Sequence, residues 1–155
     1  MAAATAIEPD LAEWDYGDYE GQRSVDISKQ RAGWNIFRHG CPHGEMPEQL
    51  AARADRLIAR LRALDGNVAL FSHGQFGCVF AARWIGLPLA EAQHFAFGAA
   101  ALSILGHDPR HLEVAVITVW NCAPNEMLYK AADTGAGDAA TIGTLPHRTA
   151  RPFGI

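Results

Sequence analysis

The stretch Leu70-Phe71-Ser72-His73-Gly74-Gln75-Phe76 constrains this chain more than any other. The apolar run from Asn67 to Phe71 reads as a buried strand, and it stops at Ser-His-Gly. A helical pattern starts at once, from Gln75 to about Ile85. A strand that feeds directly into a helix argues for α/β layering. It also puts one histidine, His73, at the carboxyl end of a strand and the mouth of a helix. Free backbone N–H groups and the helix dipole make that place an anion site. In open α/β sheets, ligands bind outside the carboxyl ends of the strands. A phosphate beside His73, flanked by Ser72 and Gly74, is the natural guess. A structural histidine whose ring caps a neighbouring loop is the other reading of the same residues.

Around this unit the elements follow from local pattern. Pro47 to Leu64 is the clearest helix, with Pro47 suited to the first helical position and Glu48 to the dipole. Leu50, Ala54, Leu57, Ile58, Leu61 and Leu64 make an apolar stripe, and Gly66 is placed to end it. The arginines of this helix, Arg53, Arg56, Arg60 and Arg62, read as a solvated face. Residues 7 to 45 read as irregular, with one short helix near Ser24 to Arg31. Gly86 and Pro88 close the second helix, and a short helix falls within Pro88 to Phe97. Ala100 to Leu105 and Val114 to Trp120 have strand length, joined through Gly106-His107-Asp108-Pro109, a turn signal. His107 and His111 belong to that connection and read as solvated. From Pro124 onward the pattern fades into Ala, Gly, Thr and Asp, so residues 124–155 read as a weakly structured tail on a domain of residues 1–123.

A second motif gives the first its meaning. Leu11-Ala12-Glu13-Trp14-Asp15-Tyr16-Gly17-Asp18-Tyr19-Glu20-Gly21 packs acids, aromatics and glycines into a stretch with no helical or strand period. Together the L-x-E-W-D-Y-G-D-Y-E-G and L-F-S-H-G phrases resemble the histidine phosphatase superfamily, the phosphoglycerate-mutase-like proteins. Trp34-Asn35-Ile36-Phe37-Arg38-His39-Gly40-Cys41-Pro42 with Gly44-Glu45 resembles the lead-in to the family's long helix. Gly98 to Gly106 and Val116 to Asn121 resemble its last strands. The resemblance covers about residues 7 to 122.

The resemblance implies a three-layer α/β sandwich with a mostly parallel sheet, incomplete at its N-terminus. It also implies phosphomonoester hydrolysis or phosphoryl transfer on a small phosphorylated metabolite, through a phosphohistidine and without a cofactor. By position, Glu13 matches the acid and His73 the second histidine. Arg38 is a candidate phosphate or substrate contact. Cationic donors suit a phosphoryl group whose charge spreads over its oxygens. A covalent phosphohistidine splits one hard step into two. A carboxyl group beside Trp14 and Tyr16 can serve as general acid.

One departure from the family pattern matters. The family's nucleophilic R-H-G lies upstream of the acid loop, on a first central strand. Here only Met1 to Asp10 precede that loop. The chain reads as the C-terminal two-thirds of such a protein, and the alternative reading is an inactive remnant or anion-binding protein. Arg38-His39-Gly40 spells the nucleophile motif but follows the loop-like Gln30 to Asn35, so His39 reads as a loop residue. Without the first strand, Val68 to Phe71 has an open edge, which predicts self-association.

Composition narrows the classes. The chain has 155 residues, 49% of them hydrophobic, enough for one domain with a core. Its net charge of −4 and the lack of a basic stripe argue against nucleic acid. No apolar run reaches membrane-spanning length and no leader pattern is evident. Three widely spaced cysteines, Cys41, Cys78 and Cys122, suggest a reducing, cytoplasmic setting. His39, Cys41 and His43 are close in sequence, but Pro42 and Gly44 argue for a turn rather than a metal site.

Overall fold

A computed structural model describes residues 5–123. Its framework is a pair of packed helices. Counting helices in chain order, α1 is Ser24–Gln30, α2 Ile36–His39, α3 Pro47–Arg62 and α4 Gly74–Trp84. Pro47 does open α3, and the Met46 amide donates to Gln49 Oε1 at 2.8 Å, closing the first turn. The stripe Leu50, Ala54, Leu57 and Ile58 is buried as its spacing requires. It packs against Phe76, Val79 and Phe80 of α4. Leu64 lies past the helix end and is exposed. Arg83 clamps the pair from outside, its Nε and a terminal nitrogen each 2.8 Å from Asp55 of α3.

The strands form a hairpin, β1 (Leu102–Asp108) and β2 (His111–Cys122), paired antiparallel. Both run longer than the apolar spacing suggests. Gly106, His107 and Asp108 lie in the ladder, opposite Val116, Ala115 and His111. The reversal falls at Pro109-Arg110, where Asp108 Oδ1 accepts from the Arg110 amide at 2.7 Å. His107 is exposed, but its ring lies 5.4 Å from that of Trp84, whose indole donates to Gly106 O. Trp120 is held between Phe95 and Phe97. These contacts dock the hairpin on α4 and on the segment that follows the 3-10 turn Leu89–His94.

One expectation is corrected here. Among the described residues the only sheet is this antiparallel pair. The Asn67–Phe71 run joins no ladder among the described residues and is exposed, with Phe71 at 88%. The physical reason is simple: β1 and β2 satisfy each other, and no other described strand lies beside this run. The expected tail, residues 124–155, lies outside the described residues.

Candidate active site

The two motifs meet at the amino terminus of α4. His73 is the N-cap residue, in extended conformation, and Gly74 starts the helix. The first amides of a helix have no partner within it. Here Glu13 supplies one from sixty residues upstream. Its Oε2 accepts from the Gln75 amide at 3.1 Å, and its Oε1 accepts from the Phe76 amide at 2.8 Å and from its own neighbour Trp14 at 2.9 Å. A carboxylate at this position also meets the positive end of the helix dipole. The Ser72 hydroxyl donates to Leu11 O at 2.6 Å, a second tie between the motifs. Glu13, Ser72, His73 and Gly74 therefore share one site, although His73 makes no side-chain hydrogen bond among the described residues. Ser72, His73 and Gly74 are exposed, so the site opens to solvent.

The aromatic residues of the acid loop explain how an irregular segment is held. Trp14 is fully buried, packs edge-on against Phe37 and donates its indole N–H to Glu45 O at 2.7 Å. Tyr19 packs edge-on against Trp34, whose indole donates to Gly40 O. Burial, reinforced by the nearby Glu13 charge, holds the Tyr16 phenol well above its ordinary value. A cleft of about 190 Å³ lies between Tyr16, Tyr19, Trp34 and Gln75.

The remaining candidates separate from this cluster. Arg38 is exposed on α2 and makes no hydrogen bond with Glu13, Ser72 or His73. His39 ends α2 rather than lying in a loop. Its Nδ1 is 3.0 Å from the Asn35 amide nitrogen and 3.1 Å from the Asn35 carbonyl oxygen, so the ring is engaged within its own turn. Cys41 is buried, which raises its thiol pKa to about 11, and His43 points to Asp18 at 2.9 Å. These three do not converge, and no such group of metal-binding side chains gathers among the described residues.

The sequence profile of the histidine phosphatase superfamily (branch 1) matches residues 2–121. The chain belongs to this superfamily. An acid phosphatase of Mycobacterium tuberculosis is 42% identical over 112 residues, which are 70% of this chain and 55% of that protein. A sedoheptulose 1,7-bisphosphatase of Saccharomyces cerevisiae is 37% identical over 103 residues, 55% of this chain and 38% of that protein. The solved structure of a Mycobacterium tuberculosis open reading frame product has a TM-score of 0.71 at 36% identity, covering 78% of this chain and 62% of that one. An alpha-ribazole phosphatase of Shigella flexneri has a TM-score of 0.60 at 28% identity, covering 74% and 59%. This chain thus spans about half the length of the acid phosphatase and less of the bisphosphatase.

Sequence reasoning missed several residues that surround this cluster. The α3 arginines form a solvated face only in part: Arg56, Arg60 and Arg62 are exposed, and Arg53 is not. Arg53 is only 11% exposed and lies beneath the acid loop. Arg56 and Arg60 pair with Asp10, and Arg60 also with Glu8. Arg62 donates to Trp84 O and lies over its ring. The available signal was the run of acids in residues 8–20 with no base among them. Cys78 is buried; its thiol donates to Phe95 O and burial raises its pKa to about 11.

Proposed function

We propose that this chain serves hydrolysis or transfer of a phosphoryl group from a small phosphorylated metabolite, through a phosphohistidine in the complete form of the site. The observation that carries the reading is the convergence of Glu13 and His73 on the α4 amino terminus. In this reading the phosphoryl group lies against the His73 ring and the Gly74 amide. His73 stabilises the charge that develops on its oxygens. Glu13 gives a proton to the leaving oxygen and then takes one from water. Ser72 fixes the approach of the strand end, and Arg38 contacts the outer part of the substrate. The aromatic cleft beside Gln75 receives the carbon portion. In the complete form of the site the attacking histidine belongs to a strand laid along Asn67–Phe71, which also builds the parallel, three-layer form of the fold; turnover by this chain alone needs a substitute nucleophile. Three free, buried cysteines support a reducing, cytoplasmic setting.

A second reading is favoured by one observation. The sequence holds a single R-H-G, and its histidine is occupied within α2. In that reading the chain binds anions without forming a phosphoenzyme. Turnover of an aryl phosphate separates the two. The first expects activity that falls by about 10²–10⁴ in Glu13→Gln and His73→Ala and is unchanged in His39→Ala. Absence of turnover in the unaltered chain supports the second, and loss in His39→Ala overturns both.

A further inference from the structure

Arg53 has five N–H donors, and each has a partner. Nε donates to Glu45 Oε1 at 3.0 Å and one terminal nitrogen to Glu45 Oε2 at 2.7 Å, a bidentate pair. That same nitrogen reaches Glu13 O at 3.2 Å. The other terminal nitrogen donates to Asp10 O at 2.9 Å and Ala12 O at 2.8 Å. The guanidinium also lies 4.7 Å from the centre of the Phe76 ring, on the first turn of α4. One side chain on α3 therefore grips the backbone of the acid loop at three carbonyls. It does so while resting on the helix whose end receives the Glu13 carboxylate.

We infer that Arg53 is the positioning residue of this site: it sets the distance between the Glu13 backbone and the α4 amino terminus, so that the carboxylate lands on the Gln75 and Phe76 amides. Glu45 orients Arg53, and its own carbonyl receives the Trp14 indole. The geometry needs a planar fork with five donors. Lysine keeps the charge but offers at most three, radiating from one point. Arg53→Lys thus preserves charge and bulk while releasing the loop carbonyls.

The inference rests on the acid/base reading of Glu13 for its catalytic meaning, but its test needs no turnover. Amide hydrogen exchange by NMR reads the placement directly. Arg53→Lys should speed exchange at Gln75 and Phe76 by about ten-fold and leave Val79 to Ala82 within about two-fold. Glu13→Ala should speed the same two amides, and adding Arg53→Lys to it should cause no further rise. Glu45→Gln, which keeps the packing and weakens the charge pair, should give the same pattern in smaller measure. A rise spread evenly along α4, an equal rise in the Glu13→Ala background, or no rise would overturn the inference. Turnover of Glu13→Gln tests the acid/base role separately.

Discussion

Gly44→Ala should disrupt the site from a distance. Gly44 and Gly17 stand where the acid loop crosses the segment leading to α3. A methyl group on Gly44 would meet Asp15 O, the Gly17 nitrogen at 2.6 Å and the Tyr16 carbonyl carbon at 2.9 Å, all backbone atoms. No rotamer change relieves such contacts, so the two segments must separate. Separation strains the Asp18 amide bond to Pro42 O and the Glu45 amide bond to Asp15 O, each 2.9 Å. Two hydrogen bonds and an overpacked crossing together cost about 3–5 kcal/mol. For a folded unit of this size that lowers Tm by roughly 10–20 °C. Gly106→Ala is the control, since its added methyl meets nothing within 4 Å. Urea and thermal unfolding of both variants, followed by tryptophan fluorescence, read the difference. If Gly44→Ala is as stable as Gly106→Ala, the backbone crossing does not hold the acid loop and the reasoning fails.

Two further outcomes follow from burial. Cys41 and Cys78 have thiol pKa values raised by burial from 9.0 to about 11. Below pH 9 both folded and unfolded thiols are protonated and contribute no pH dependence. Between pH 9 and 11 only the unfolded thiols ionise, so stability falls across that window. Tyr16 adds to the fall above its ordinary value of 10.0. Urea midpoints at pH 8 and pH 10.5 should differ less in a Cys41→Ala, Cys78→Ala variant; an unchanged difference would exclude the thiols as its source. Phe71, with Val68 and Leu70 beside it, leaves an apolar strip unpaired. Sedimentation should show concentration-dependent association that Phe71→Lys weakens, whereas a monomer at all concentrations would contradict self-pairing through this strip.

What the sequence made legible was local. The stripe from Leu50 to Ile58, the helix after Ser-His-Gly and the two apolar strands each carry their period within a few residues. The meeting of Glu13 with the α4 amino terminus was legible only through the ordered pair of motifs, because no local rule links residues sixty apart. Arg53 was misread for the same reason. Its partners, Glu45 and the acid-loop carbonyls, come from elsewhere in the chain, and a charged helix face looks the same whether water or an acidic loop covers it. The Asn67–Phe71 run was read as buried from its apolar content, yet burial depends on a neighbour, and none of the described strands supplies one. The Gly17–Gly44 crossing had no sequence signature beyond two glycines in irregular segments.

The central claim is that the acid loop and the Ser-His-Gly turn build one phosphate site at the α4 amino terminus. Its most direct test is a titration with inorganic phosphate, followed through the backbone amide resonances of the intact chain. The account predicts saturable shifts centred on His73 and Gly74 that disappear in His73→Ala. Shifts absent from those residues, or fully retained in His73→Ala, would contradict it.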